Sequence, residues 1–216
     1  MPLDRRQFLQ TGGGALLAAA LVACTKSKPK AQPGATTTST TVTTTTAPGP
    51  TASDITLIRT AASLEALAVS VYQRAAAANL VKDPAALDAT TLFLSHHMAH
   101  QQAMNALLAA SEQQAVNDPN PAIEKVFKPG LAAAKTQDDM VELLFTLEDA
   151  IGQTYVYATG LLTTPEHRTT IMTVAGVHAR QRALLGVVYG HHDPADLFPS
   201  SFARNDNPLP PDALLT

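Results

Sequence analysis

The stretch Leu92–Leu108, LFLSHHMAHQQAMNALL, decides how the rest of the chain is interpreted. Apolar residues and histidines recur in it at steps of three and four, which places them on one face of a helix. The positions on this face are Phe93, His97, His100, Met104, Leu107 and Leu108. A face with this spacing packs into a core, where imidazole rings are costly unless they are hydrogen-bonded or bound to a metal. The sequence therefore predicts partners for His97 and His100 on other helices.

The composition is that of one domain with appendages, and it excludes some classes of site. The chain has 216 residues, of which 45% are hydrophobic and 15% charged, and its formal net charge is -3. No basic cluster lies on a predicted element, so we expect no nucleic-acid partner. The single cysteine excludes an internal disulfide and a multi-thiolate metal site, which leaves His, Glu, Asp and Met as strong ligands.

Residues 1–23 have the layout of a secretion signal. Arg5 and Arg6 are followed by Phe and Leu and then by an uncharged run, and they resemble a twin-arginine signal. The run ends in Leu-Val-Ala before Cys24, which resembles a bacterial lipobox with lipid attached to the cysteine sulfur. A simple signal-anchor helix is the alternative. We favour the lipobox because the chain's only cysteine falls where a lipobox needs one, and because the apolar run is shorter than the roughly 20 residues that span a bilayer.

Residues 24–52 comprise this cysteine and a linker rich in Thr and Pro. The linker has little to bury, so we expect it to be extended and disordered, and its composition permits O-glycosylation. A flexible coil of about 28 residues would hold a domain roughly 30 Å from the membrane. The expected location is therefore extracytoplasmic, with the protein lipid-anchored to the outer face of the cytoplasmic membrane.

Four long helices are predicted in residues 53–190, and a Pro-rich tail, residues 191–216, is expected to pack on them. The helices cover about residues 53–79, 84–116, 136–162 and 165–190. Ser53 or Asp54 caps the first helix. An N-cap residue followed by proline begins the second and the fourth, and Thr136 with Asp139 forms a variant capping box for the third. The segment 117–136, with a short helix around residues 123–127, is long enough to cross the bundle.

The two helical hairpins repeat one another. A Glu is followed by a Tyr at the seventh position in both, as Glu65 and Tyr72 and again as Glu148 and Tyr155. On a helix this step keeps both side chains on one face. We expect the tyrosines to be core residues that hydrogen-bond a Glu. The repeat predicts two hairpins related by a pseudo-twofold axis.

Each hairpin also pairs a Glu with a His. Glu65 and His97 are 32 residues apart, and Glu148 and His178 are 30 residues apart, with one tight turn between the members of each pair. An antiparallel pair of helices with such a turn brings the two side chains level. Each hairpin is therefore predicted to place a Glu beside a His.

This pattern is similar to that of the ferritin-like superfamily. The features shared are a Glu on helices one and three, a paired motif three residues apart on helices two and four, and one long crossover. The resemblance covers about Ser53 to Tyr189. It implies an all-α, ferritin-like four-helix bundle, in which two antiparallel hairpins are joined by a long crossover between helices two and three. In that family the paired motif is Glu-x-x-His on both helices, and six side chains hold two metal ions.

The resemblance carries over to only part of the metal site. Three of the six positions match, and they are Glu65, Glu148 and His100. The other three depart from the family, because His97 and His178 stand where it has Glu and Gln181 replaces its second His. The site predicted here is therefore richer in imidazole and poorer in carboxylate.

This ligand set suits one metal ion better than two. Two carboxylates balance one divalent ion, but they compensate poorly for two ions held close together in a low-dielectric core. A di-iron ferroxidase is therefore not expected, and any activity would be a weak metal-dependent oxidoreduction. Imidazole-rich ligation suits Zn, Cu or a single Fe. Met104 would add a soft donor that favours Cu, although Met in an Ala/Leu-rich helix is more often a gap filler.

Two functions remain open at this point. The first is an exported metalloprotein that binds one divalent ion. Its candidate ligands are Glu65, His97, His100, Glu148 and His178, with Gln181 as a weak one. The second is a scaffold without any cofactor, in which the buried Glu residues pair with Arg182 and the domain binds an envelope protein or a cell-wall partner. Twin-arginine export favours the first function, since that route carries folded proteins.

The remaining histidines are not assigned to the site. His96 lies about 100° from the His97 face, and His167 lies in a first helical turn, so both are expected at the surface. His191 and His192 suit a helix C-terminus electrostatically. None of them is needed to explain the Glu and His pairs.

The lipobox interpretation predicts that Cys24→Ala releases the protein from membranes or blocks its processing, because the lipid is attached to this sulfur. Membrane fractionation and the mass of the mature chain measure the effect, with Ser27→Ala as a control. A variant with the membrane fraction and the mature mass of the wild type would contradict the interpretation.

Overall fold

Helices account for most of the computed structural model, which describes residues 49–191, 193 and 194. In the described part, the helices in chain order are α1 (Ala52–Ala78), α2 (Pro84–Ala110), α3 (Pro121–Ala133), α4 (Gln137–Leu161) and α5 (Pro165–Tyr189). The predicted signal, most of the predicted linker and nearly all of the predicted C-terminal tail lie outside these residues. The expectations for those segments remain predictions.

Two helical hairpins form the bundle. The most extensive packing is between α1 and α2 and between α4 and α5, and the hairpins meet through α1 with α4 and α2 with α5. The crossover helix α3 packs on α1 and α4. The predicted all-α bundle of two hairpins, joined by a long crossover between the second and third bundle helices, is confirmed.

Side-chain caps define the starts of α1 to α4, whereas the side chain of Thr164, the predicted cap of α5, makes no capping hydrogen bond. Thr51, rather than Ser53 or Asp54, caps α1, and its side chain accepts a hydrogen bond from the N–H of Asp54. The predicted capping box of Thr136 and Asp139 is present at α4. Proline occupies the first turn of α2, α3 and α5, where its missing N–H has no partner to lose.

The end of α2 differs from the prediction. The helix ends at Ala110 rather than near Val116, because Glu112 adopts a left-handed backbone with φ 56. Asn105 then holds the chain that follows, since its Nδ2 donates to the carbonyl of Val116 at 3.2 Å and its Oδ1 accepts from the N–H of Val116 at 2.9 Å. A left-handed residue commonly ends a helix, but it is usually glycine or asparagine. Glu112 gives no such signal in the sequence.

The crossover helix α3 is longer than the predicted segment of residues 123–127. Its buried side chains are Ile123 and Phe127, and it continues past Pro129. A Cβ added at Gly130 would lie 3.0 Å from Leu143 Cδ1, so glycine allows α3 to approach α4 closely. The crossover therefore contributes apolar surface to the bundle.

The buried apolar side chains of the core come mostly from α1 and α4, and α2 and α5 contribute the rest of the bundle core. Among the described helices, α1 is the one that is long and apolar enough to cross a membrane. However, 72% of its most apolar stretch is buried inside the domain. Such burial is expected of a core helix. The polar residues on its inward face include Glu65, which is fully buried. That carboxylate needs partners from the other helices.

Asp54 links the start of α1 to the turn between α4 and α5. Its Oδ1 accepts a hydrogen bond from the N–H of Thr163 at 2.8 Å. Its Oδ2 accepts from the hydroxyls of Thr163 at 2.7 Å and Thr164 at 2.6 Å, and from the N–H of Thr164 at 3.0 Å. Burial opposes ionisation, but these hydrogen bonds hold the pKa of Asp54 well below its ordinary value.

We predict that Asp54→Ala lowers the free energy of unfolding by about 2–3 kcal/mol, because it leaves buried donors of the turn without acceptors. Chemical denaturation at pH 7 measures the loss, and Asp88→Ala on the exposed face of α2 is the matched control. Since the pKa of Asp54 is lowered in the fold, its stabilisation is present above about pH 4 and falls as the pH decreases further. Equal stability of the two variants at pH 7 would contradict the assignment.

Candidate metal site

Four fully buried ionisable side chains meet at the centre of the bundle. Glu65 comes from α1, His97 from α2, Glu148 from α4 and His178 from α5, and each is 0% exposed. We refer to these four residues as the Glu–His ring. All four interrupt the apolar stripe of their helix, so helical periodicity directs them into the core. The ring therefore contains one side chain from each bundle helix.

Each histidine of the ring contacts both carboxylates. His97 Nδ1 lies 2.9 Å from Glu65 Oε2, and its Nε2 lies 3.0 Å from Glu148 Oε1. His178 Nδ1 lies 2.6 Å from Glu148 Oε2, and its Nε2 lies 3.0 Å from Glu65 Oε1. The predicted pairs within the hairpins are thus present. The contacts between hairpins were not predicted, and they close the ring.

The two repeated tyrosines donate further hydrogen bonds to the carboxylates of the ring. Tyr155 Oη donates to Glu65 Oε1 at 2.6 Å, and Tyr72 Oη donates to Glu148 Oε1. Both tyrosines are fully buried, which confirms that they are core residues hydrogen-bonded to a Glu. Each tyrosine reaches the Glu of the other hairpin, however. The Glu-to-Tyr spacing in the sequence is therefore a signal for contacts across the pseudo-twofold axis.

His100 lies beside the ring and is turned toward Glu65. Its Nδ1 is 3.6 Å from Glu65 Oε1 and is a buried nitrogen without a hydrogen-bond partner. Its side chain is 12% exposed, whereas the side chains of the ring are 0% exposed. His100 is therefore more accessible to solvent than any side chain of the Glu–His ring.

Gln181 occupies the position in α5 that corresponds to His100 in α2, three residues after the ring histidine. Its Nε2 lies 3.2 Å from Nδ1 of His96, and its Oε1 is buried without a hydrogen-bond partner. Sequence reasoning did not pair Gln181 with His96, which is partly buried rather than fully exposed. The ring therefore has a nearby imidazole on the α2 side and an amide on the α5 side.

The charges of the ring stabilise one another. Burial opposes the ionised forms, but the charge of His97 lowers the pKa of Glu148 to about 2, and the charge of His178 lowers the pKa of Glu65 well below its ordinary value. Burial likewise opposes protonation of the histidines, but Glu148 raises the pKa of His97 to about 8, and Glu65 raises that of His178 to about 10. Both nitrogens of each ring histidine face a carboxylate oxygen, so each imidazole donates two hydrogen bonds as an imidazolium. Without a metal, the ring is therefore electrically neutral.

Some histidine and arginine positions differ from expectation. Arg182, the expected partner of the buried Glu residues in the metal-free alternative, has its Nε 2.6 Å from Oδ1 of Asp149 and its guanidinium over the ring of Phe145. His167 is 4% exposed and not at the surface. The ring of His191 stacks on Phe145 with centroids 5.0 Å apart. In the metal-free alternative the ring histidines can therefore serve as the cations beside the two Glu residues.

The donor set fits one metal ion and does not fit two. One ligand atom from each of four residues lies within 4.8 Å of the others, and the residues are Glu65, His97, His100 and His178. In the ferritin-like proteins that the sequence resembles, a pair of ions is held by further carboxylates, and histidines stand here at the two positions that would supply them. The oxygens of Glu148 accept hydrogen bonds from both ring histidines and Tyr72.

The raised histidine pKa values predict how the metal-free protein responds to pH. A histidine with a raised pKa in the fold stabilises it fully below about pH 6.5 and loses that contribution as the pH rises through the folded value. The chelator-treated protein should therefore lose stability as the pH passes about 8 and then about 10. Urea unfolding from pH 6 to pH 10 measures this, and His178→Gln should show a shallower decline. Constant or increasing stability over this range would contradict the charged ring.

The described helices and the ring fall within one family match. The model of the ferritin-like domain family matches residues 31–191, which is most of the chain. Searches of curated proteins and of solved structures return no match. On the family match, and in agreement with the bundle of two hairpins, the chain belongs to the ferritin-like domain family.

Proposed function

We propose that this ferritin-like domain binds one divalent transition-metal ion. The proposed ligands are Glu65, His97, His100 and His178. The observation that carries the proposal is the convergence of one ligand atom from each of them within 4.8 Å. They come from three helices, so the bundle itself would hold the ligands in place.

The distances among these atoms agree with a single ion. Ligands held 2.0–2.1 Å from a tetrahedral ion are about 3.3 Å apart. Glu65 Oε1 lies 3.0 Å from His178 Nε2 and 3.6 Å from His100 Nδ1. These two separations bracket the tetrahedral value. The four ligand atoms lie within 4.8 Å of one another, so binding of an ion would draw the more widely spaced side chains together.

The unsatisfied nitrogen of His100 supports the same proposal. A buried nitrogen without a partner costs roughly 1–3 kcal/mol, and such groups are rare in folded proteins. His100 Nδ1 is such a nitrogen and faces the oxygen of Glu65 that His178 also contacts. Coordination of an ion would give His100 a partner.

The charge of the site also suits one ion. When the ring histidines bind as neutral imidazoles, Glu65 and Glu148 together carry two negative charges, which one divalent ion balances. Three imidazoles and one carboxylate are ligands that Zn, Cu and Fe accept, whereas Mg and Ca prefer oxygen ligands. A bound ion of this kind supplies Lewis-acid or, for Cu and Fe, redox chemistry. His100, the most exposed of the four, is the side from which an ion would reach the site.

We propose further that the domain works outside the cytoplasmic membrane. The signal formed by residues 1–23, with Arg5 and Arg6, would direct export, and Cys24 would carry the lipid anchor. The Thr/Pro-rich linker that ends at residue 52 would tether the bundle to the membrane. A metal ion acquired before export would travel with the folded domain.

A second candidate function is a metal-free envelope scaffold that binds a protein or a cell-wall partner. The observation that favours it is the closure of the ring without an ion, since every nitrogen of His97 and His178 already faces a carboxylate. The charges of the ring cancel in that state. The two functions differ in whether a metal ion stabilises the fold.

We predict that a divalent metal ion stabilises the chelator-treated protein and that one ion binds per chain. A free-metal concentration of 100 times the dissociation constant adds about 2.7 kcal/mol to the free energy of unfolding. Thermal unfolding with Zn(II), Cu(II), Mn(II) or anaerobic Fe(II) measures the gain, and elemental analysis gives the stoichiometry.

His191→Gln is the matched control, since His191 lies outside the cluster and the variant should bind the ion as wild type does. His100→Gln should retain the fold, because its Nδ1 has no hydrogen-bond partner to lose, and it should weaken binding. The absence of a metal-dependent shift for wild type with all four metals would sink this proposal and leave the scaffold.

A further inference from the structure

We propose that the two carboxylates of the Glu–His ring have different roles toward the ion. Glu65 binds the ion, whereas Glu148 is a positioning residue that orients the two ring histidines. This inference rests on the proposed single-ion site. It departs from the pseudo-twofold symmetry of the fold, in which the two Glu residues occupy equivalent positions.

The ring alone does not distinguish the two carboxylates. In each hairpin the histidine Nδ1 faces the Glu of the same hairpin, and its Nε2 faces the Glu of the other one. Each Glu also accepts a hydrogen bond from the tyrosine of the other hairpin. These contacts repeat across the pseudo-twofold axis. A feature outside the ring must decide where an ion lies.

That feature is the residue three positions after each ring histidine. In α2 it is His100, whose Nδ1 lies 3.6 Å from Glu65 Oε1. In α5 it is Gln181, whose Nε2 lies 3.2 Å from Nδ1 of His96. A third imidazole is therefore present on the Glu65 side, where the convergent set of ligand atoms includes Glu65 and not Glu148. An amide oxygen is a weaker ligand for the same metals than an imidazole nitrogen.

If the ion lies beside Glu65, each ring histidine binds it through one nitrogen. Glu148 then faces the other nitrogen of each ring, the one that does not bind the ion. Glu148 Oε2 lies 2.6 Å from His178 Nδ1, and Glu148 Oε1 lies 3.0 Å from His97 Nε2. A carboxylate that accepts a hydrogen bond from the far nitrogen fixes the tautomer and the orientation of a ligand histidine. Tyr72 donates to Glu148 and holds it in place. One carboxylate thus orients two ligands at once.

The two roles predict different losses of affinity. Replacing an outer carboxylate weakens metal binding by about 10–100-fold, whereas Glu65→Gln removes the anionic ligand and should weaken it by more than about 100-fold. Glu148→Gln should still bind one Co(II) per chain, with the visible absorption spectrum of wild type, because the ligand set is unchanged. Glu65→Gln should lose that spectrum or shift it. Isothermal titration with Co(II) and Zn(II) measures both affinities.

Exchanging the two decisive residues gives a sharper test. His100→Gln removes the third imidazole, and Gln181→His supplies one on the other side of the ring. The double variant should therefore recover binding that His100→Gln loses, with the ion now beside Glu148. In this background the order should reverse, so that Glu148→Gln weakens binding more than Glu65→Gln does. A carboxylate that only supports the fold would not reverse that order.

Equal losses for Glu65→Gln and Glu148→Gln in the wild-type background, with the same change in the Co(II) spectrum, would overturn the inference. An unchanged order in a folded double variant would also overturn it. If the double variant does not fold, judged by circular dichroism and cooperative melting, the wild-type background alone decides. Wild-type protein that binds neither Co(II) nor Zn(II) would instead refute the single-ion function on which the inference rests.

Discussion

The burial of four charged side chains at one level of the bundle is the constraint on which the rest of the structure depends. Each ionised group alone would be strongly destabilising in a core. In the ring, Glu65 and Glu148 each contact both His97 and His178, so every charge has two partners of opposite sign. Because the four residues come from four helices, these contacts require all of the bundle helices to pack in one register. Removing one member would leave its neighbours buried without compensation.

The ring also explains how this member of the family departs from a two-metal centre. Histidines at positions 97 and 178 replace two anionic groups with two that are neutral or positive, so the negative charge that would hold a second ion is gone. The same replacement lets the site balance its charge with protons or with one divalent ion. In the proposed site His100 would add a third nitrogen ligand, and its position beside Glu65 would make the site asymmetric.

Much of the fold followed from local patterns, whereas contacts between the hairpins did not. Helical periodicity and short turns were sufficient to pair Glu65 with His97 within a hairpin. The register between hairpins is set by packing over the whole bundle, so the contact of His97 with Glu148 had no local signal. The spacing of Arg182 placed it one turn from His178, and its side chain reaches Asp149 of α4. The end of α2 at Ala110 was missed because a Glu in a left-handed conformation, as at Glu112, is rare.

The central claim is that one ion is bound by Glu65, by the two histidines of the ring and by His100. X-ray absorption spectroscopy of the Zn(II)-loaded protein tests it most directly, because the method reports the type and distance of the ligands. The account predicts a four-coordinate ion with three imidazoles and one carboxylate oxygen at about 2.0–2.2 Å. A shell of oxygen ligands without imidazole, or a second metal at about 3.5–4 Å, would contradict it.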